Sequence, residues 1–167
     1  MDNLYFNLGK IMSDEECENL ALEVFEAMRT GGVVAETDTK YYRNSFGGAT
    51  AGSWEVIKRF TSLVTEKTGK NVRIANPYCR IYNNESTLHP HIDREGLDWT
   101  ISLCLFTNLK HDWPLIAKTQ DGTLIQFPTR IGEGNLVAGR MLEHWREPLV
   151  CGDDEYVVQM FLHWTEE

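Results

Sequence analysis

The stretch Tyr78-Cys79-Arg80-Ile81-Tyr82-Asn83-Asn84-Glu85-Ser86-Thr87-Leu88-His89-Pro90-His91-Ile92-Asp93 decides how this chain reads. It opens as a strand, passes through a polar turn at Asn83–Ser86, and closes on His91-Ile92-Asp93. Side chains two apart in an extended chain point to the same face. An imidazole and a carboxylate therefore project together into whatever this strand lines.

A second histidine from elsewhere would complete a two-His, one-carboxylate set. That set leaves open positions on iron(II) and is the ligand arrangement of non-haem iron oxygenases. The best third ligand is His144, in the strand-like run Leu142-Glu143-His144-Trp145-Arg146-Glu147-Pro148. A surface histidine beside Trp145 is the plainer reading of the same residue. His89 competes as well, because His89-x-His91 has the spacing of a zinc pair. Asp93 continues the face of His91 and favours the mixed set. His111, in a Lys-His-Asp turn, reads as solvated, and His163, in the last strand, reads as packed and hydrogen-bonded.

Outward from this stretch the pattern divides the chain. A short strand is expected from Leu4 to Leu8. Ser13-Asp14-Glu15-Glu16 has the form of a capping box. Cys17, Leu20, Ala21, Val24 and Met28 then keep helical spacing, and Gly31-Gly32 stops the helix. Tyr41–Ser45 reads as a short strand and Phe46–Ala49 as a loop. A second helix is expected from near Ser53, with Trp54, Ile57, Thr61 and Val64 as its stripe, widened by Val56, Phe60 and Leu63. Thr68-Gly69-Lys70 ends it. From Val72 on, short apolar runs alternate with turn residues. Strands are expected near 73–83, 97–107, 113–118, 123–127, 134–139, 141–147 and 155–164, with Asp121-Gly122 as a hairpin turn. Two helices followed by seven or more strands predict an α+β, mainly β chain: a jelly-roll barrel with the helices packed on one face. One domain over 1–167 is expected, with helical support over 1–71 and a barrel core over 72–164.

Composition excludes several classes. With 167 residues, 42% hydrophobic and 25% charged, the chain is that of an ordinary globular domain. A net charge of −9 without a basic stripe argues against nucleic acid. The four cysteines, Cys17, Cys79, Cys104 and Cys151, lie far apart; free thiols in a reducing compartment is the expectation. The first residues lack the positive and apolar regions of a signal peptide, and no apolar run approaches a membrane span. A cytoplasmic protein without a membrane partner, monomeric or homodimeric, is expected.

Arg80-Ile-Tyr82, His91-x-Asp93-Arg94, Trp99-Thr-Ile-Ser102, Trp113-Pro114, Glu143-His-Trp-Arg146 and Gln159-Met-Phe-Leu-His163 occur in that order. The ordered set resembles the iron(II)- and 2-oxoglutarate-dependent dioxygenases of the prolyl-hydroxylase-like branch. It is most similar to small bacterial and phage-type members with an HWRE segment and a QxFLH ending. The resemblance covers about residues 73–164. It implies a double-stranded β-helix that holds Fe(2+) through His91, Asp93 and His144. It implies 2-oxoglutarate as cosubstrate and O2 as oxidant, with ascorbate as an optional reductant. Tyr82 matches a family tyrosine that hydrogen-bonds the cosubstrate.

One departure matters. The family has Arg or Lys nine to eleven residues after the distal His to hold the far carboxylate of 2-oxoglutarate. Here those positions are Asp153, Asp154 and Glu155. Arg146 is the candidate replacement: it lies two beyond His144, and a guanidinium grips a carboxylate bidentately. Pairing of Arg146 with Glu143 or Glu147 is the bland alternative. Arg94, Arg80 and Lys118 are further candidates, and Ser102 and Gln159 are expected to add neutral hydrogen bonds. Substrate contacts are expected from Arg43 in the loop Tyr41–Gly48, from the loop Asn83–Leu88, from Arg94 and from Trp99. The implied reaction is hydroxylation of an unactivated C–H bond in a small-molecule or peptidyl substrate, prolyl or another amino acid. A non-catalytic metal-binding jelly roll and a cupin-like metalloenzyme without 2-oxoglutarate are the alternatives.

Overall fold

The structure is a computed structural model and describes residues 2–36 and 45–167. The chain begins with β1 (Tyr5–Lys10), α1 (Asp14–Thr30), β2 (Val34–Ala35), β3 (Ser45–Gly48) and α2 (Ala51–Thr68). Eight strands follow: β4 (Val72–Tyr82), β5 (Leu88–His91), β6 (Trp99–Thr107), β7 (Leu115–Lys118), β8 (Leu124–Phe127), β9 (Glu133–Val137), β10 (Glu143–Arg146) and β11 (Val157–Glu166). Of the expected strand Tyr41–Ser45, only Ser45 is within the described residues, where it opens β3.

Local chemistry sets the helix ends. Ser13 is extended, and its hydroxyl accepts from the Glu16 N–H at 3.2 Å. Gly31, at φ 89°, closes α1 in a conformation that only glycine takes without strain. The Glu16 carboxylate does not return to Ser13; it pairs with Arg59 and ties α1 to α2. The second helix starts before the expected Ser53. Thr50 is its N-cap, and Thr50 and Ser53 each accept from the other's N–H, at 3.1 and 2.9 Å. With the earlier start, the buried stripe is Ser53, Val56, Ile57, Phe60 and Val64. Trp54, expected on that stripe, falls on its flank and is 42% exposed.

The strands form two antiparallel sheets. The larger has the order β1-β9-β6-β11-β4-β3-β2 and the smaller β5-β10-β7-β8. The Asp121-Gly122 turn joins β7 to β8, with Gly122 at φ 89°. This is a jelly-roll arrangement, in which β4 to β11 supply both walls.

Alternation along β4, β6 and β11 divides the large sheet into two faces. Cys79, Ile81, Ile101, Leu103, Leu105, Val158, Met160, Leu162 and Trp164 join Cys17, Leu20 and Val24 of α1 and Ile57, Phe60 and Val64 of α2 in one apolar cluster. Burying each such side chain is worth about 1.5–3 kcal/mol, so this cluster anchors the wall on which the inner face is displayed. The inner face carries the alternate residues in cross-strand rows. His163 lies beside Asn76 and Thr100, Phe161 beside Tyr78 and Ser102, and Gln159 beside Arg80 and Cys104. All four cysteines are free thiols. Among the described residues no helix is long and apolar enough to cross a membrane.

Candidate metal centre and its cavity

The small sheet brings the two candidate histidines together. In the pairing of β5 with β10, His91 lies directly opposite His144, and their ring centroids are 4.4 Å apart. Each ring is fixed by the same local device. His91 Nδ1 donates to the His89 carbonyl and His144 Nδ1 to the Leu142 carbonyl, both at 2.8 Å. A carbonyl only accepts, so Nδ1 carries a proton, and Nε2 of each ring presents a lone pair whenever the ring is neutral.

Both Nε2 atoms face Asp93. Its Oδ1 lies 3.5 Å from His91 Nε2 and 3.4 Å from His144 Nε2. Adjacent ligands on an ion with bonds of about 2.1 Å stand roughly 3 Å apart, so this spacing fits one metal ion. His91, Asp93 and His144 are the group of ligand atoms within 4.8 Å of one another among the described residues. The carboxylate is itself held. The Asp93 N–H donates to the Gly139 carbonyl at 2.9 Å, and the Thr100 hydroxyl donates to Oδ2 at 3.3 Å.

Electrostatics follow from this packing. Burial works to raise the Asp93 carboxyl, but hydrogen bonds from His144 and then His91 outweigh it and hold the group well below the usual carboxylate range. Burial likewise works to lower the His144 ring, and the hydrogen bond and charge of Asp93 overcome it, leaving the ring above its ordinary value. The competing residues fall away: His89 offers only its carbonyl and its side chain is exposed, as is His111.

The three residues open on a cavity of about 230 Å³ between the sheets. Arg80, Ser102, Arg94, Phe161, Asn76 and His163 are among its other lining residues. Arg80 is buried and bonded to Glu36 Oε1 at 2.9 Å, which the Tyr78 hydroxyl also reaches at 2.6 Å. The side chain of Lys118 is at the exposed end of β7.

Arg146 takes neither expected acid. It is 2% exposed, and its Nη1 donates to the Trp113 carbonyl and the Thr129 hydroxyl, each at 2.8 Å. Its guanidinium carbon sits 4.9 Å from the Trp113 ring centre and 5.9 Å from that of Tyr82. Arg146 Nε and the Tyr82 hydroxyl are both buried without a partner. The nearby acid, Asp112, is engaged by the backbone N–H groups of Trp113 and Thr129. A buried guanidinium remains charged, and an unmatched buried charge is costly. This corner thus holds two buried polar groups without a partner, and neither Arg146 nor Tyr82 is among the residues lining the cavity.

The remaining expected site residues divide. Arg94 and Ser102 line the cavity. Gln159 is fully buried in the row of Arg80 and Cys104, outside the cavity lining. Trp99 requires a correction. It belongs to the helix-side core, is 3% exposed, and donates its indole N–H to Glu166 at 2.8 Å. Odd-numbered residues of β6 point away from the cavity, which takes Trp99 out of substrate contact. Arg43 lies outside the described residues. Asp153 and Asp154 are exposed in the turn before β11. Sequence reasoning missed Gly139, Glu36 and Thr129, none of which belongs to a motif with chemistry of its own.

No protein-family model matches the chain, and no curated protein matches it. Solved structures do. A prolyl-4-hydroxylase from Pseudomonas putida aligns over 98% of this chain and 93% of its own, with a TM-score of 0.72 and 11% identity. The viral collagen prolyl hydroxylase of Paramecium Bursaria Chlorella virus-1, solved with 2-oxoglutarate, aligns over 98% and 97%, at 0.68 and 16%. The non-haem α-ketoglutarate-dependent epimerase SnoN of nogalamycin biosynthesis aligns over 98% and 79%, at 0.78 and 11%. The chain has the fold of these enzymes.

Proposed function

We propose that the chain, as one domain, is an iron(II)- and 2-oxoglutarate-dependent dioxygenase that hydroxylates a C–H bond of an amino-acid or peptidyl substrate. The observation that carries this reading is the convergence of two carbonyl-fixed imidazoles and one carboxylate, from β5, the segment after it, and β10, on one point in a barrel cavity. Such a set suits iron(II) and leaves positions open for two further ligands. When bound there, iron(II) with 2-oxoglutarate and O2 supplies oxidative decarboxylation to succinate and CO2, coupled to oxidation of a C–H bond to C–OH.

The protein's own residues do the rest. His91 and His144 present Nε2 without reorganisation, because their Nδ1 protons are committed. Asp93 supplies one negative charge against the ion. Arg146 and Tyr82 hold the far carboxylate of 2-oxoglutarate, using the two buried donors that otherwise have no partner. Ser102 adds a hydroxyl on the cavity wall. A cupin-like site without 2-oxoglutarate would leave that guanidinium unmatched. Both helices are read as backing one face of the large sheet, which keeps the inner rows in register. The epimerase among the structural neighbours shows that this fold does not by itself fix the outcome at the substrate carbon; hydroxylation is the reading tested.

The test is succinate formation by the full chain with iron(II), ascorbate and 2-oxoglutarate. Turnover that vanishes in His144→Ala supports the reading. Absence of succinate, or full iron affinity and turnover in His144→Ala, ends it.

A further inference from the structure

The inference concerns the substrate class and rests on the reading above. A third histidine faces the cavity, outside the ligand group. His163 Nδ1 is bonded to the Asn76 carbonyl at 2.9 Å. This is the device that orients His91 and His144. The carbonyl can only accept, so the neutral ring turns Nε2 inward as an acceptor. Burial pushes this imidazole down from its ordinary value, and the charges of Arg94 and Arg80 add to that against the Asn76 bond and Asp93. His163 shares its row with Thr100, whose hydroxyl touches Asp93. His163 and the ligand Asp93 thus share Thr100 as a neighbour.

Arg94 follows Asp93 directly and lines the same cavity. Arg80 is matched by Glu36 inside the wall. Arg94 has no ion-pair partner among the described residues, and its hydrogen bond to the Glu95 carbonyl is a long one, 3.5 Å. In a chain of net charge −9, a cation at the cavity mouth gives anions a local point of attraction. Its fork suits a carboxylate.

We propose that Arg94 and His163 form the recognition subsite of the substrate, Arg94 taking a carboxylate and His163 Nε2 an N–H on the adjoining carbon. The class is an α-amino-acid unit with a free carboxylate: a free amino acid or the C-terminal residue of a peptide. The unit would enter a cavity of about 230 Å³. An internal residue of a polypeptide has no α-carboxylate to offer Arg94.

The test reads binding, without turnover. The full chain is loaded with zinc(II), which takes the same ligands without redox chemistry, and with 2-oxoglutarate. Calorimetry then follows the common L-amino acids, their N-acetylglycyl derivatives, the methyl esters of both, and the corresponding des-amino acids. At least one acid is expected to bind, with its ester and its des-amino analogue at least tenfold weaker. Preference for the free amino acid or for the N-acetylglycyl form distinguishes the two sources. Arg94→Gln is expected to erase the preference for acid over ester and to leave the preference for the amino form. His163→Phe is expected to do the reverse, and His163→Gln, which keeps an acceptor, to restore it. Equal binding of acid and ester, preferences that survive both variants, or no binding of any acid to protein that holds 2-oxoglutarate overturns the inference and leaves the dioxygenase reading standing. Failure to hold zinc(II) and 2-oxoglutarate overturns both.

Discussion

Gly139 and Asp93 are fitted to each other. The Asp93 N–H donates to the Gly139 carbonyl at 2.9 Å, and a Cβ at position 139 would lie 2.0 Å from Asp93 Oδ2. The backbone of Gly139 is not left-handed, so alanine is barred by the carboxylate and not by φ. The obstructing atom is the end of a side chain, which can swing aside. Gly139→Ala is therefore expected to fold and to misplace the ligand. Loss of an orienting contact at a metal site costs about 10- to 100-fold in affinity. Zinc(II) titration of the variant checks this; wild-type affinity would show that Asp93 does not depend on the gap.

Arg146 supplies the second prediction. Its charge is buried, matched by no acid among the described residues, and held by a carbonyl and a hydroxyl. Replacing such a group by an apolar one of similar volume is often neutral or stabilising. Removing a charged partner from a buried carboxylate costs about 2–5 kcal/mol. Arg146→Met should therefore weaken 2-oxoglutarate binding by more than tenfold without lowering the melting temperature of the ligand-free protein. Unchanged affinity would move the anchor elsewhere, and a large fall in melting temperature would make Arg146 a structural residue.

Much of this was legible in the sequence, for identifiable reasons. Strand alternation placed β4, β6 and β11 to within two residues, because each turns one apolar face into the main cluster and displays polar residues on the other. His91 and Asp93 are two apart in sequence, and this spacing brings them together at the end of β5. Their meeting with His144 is a long-range register, His91 against His144, to which the strand-like run around His144 and the motif order pointed without fixing the pairing. Trp99 misled because its place in a motif suggested a site role, whereas its alternation with Thr100 and Ser102 puts it with Ile101, Leu103 and Leu105 on the apolar face. The α2 cap misled because the box uses Thr50 with Ser53 where Glu is usual. Gly139, Glu36 and Thr129 act through position alone and left no local signal.

That cap makes a stability prediction. Thr50 is 8% exposed, and its hydroxyl accepts from Ser53 N–H while its own N–H donates to Ser53. Removing an N-cap hydroxyl costs about 0.5–2 kcal/mol. Because Thr50 is buried and α2 backs β4 and β11, Thr50→Ala should fall in the upper half of that range. Denaturant unfolding measures it. Ser13→Ala, at an exposed cap whose box is not closed, should cost less, and equal costs would mean that the closed box adds nothing.

The coupling of His144 with Asp93 sets a pH dependence whose sign differs for the metal-free and metal-bound states. Without metal, His144 is raised above 6.5, so its stabilising contribution is complete below the unfolded value of about 6.5 and is lost as pH rises through the folded value. Asp93 is depressed, so its contribution is complete above about 3.9 and is lost as pH falls through its folded value. The metal-free site is therefore most stabilising between roughly pH 4 and 6.5. Metal binding runs the other way, because the ion needs Nε2 of His144 without its proton. Affinity for zinc(II) should rise with pH until the ring's raised folded value is passed. At pH 6.5 binding should release more than half a proton from His144, and the release should fade at higher pH. Calorimetry in buffers of different ionisation enthalpy counts that proton. Wild-type release that stays constant with pH, or that persists in His144→Asn, would assign the proton to another group and break the link between the Asp93 contact and the metal.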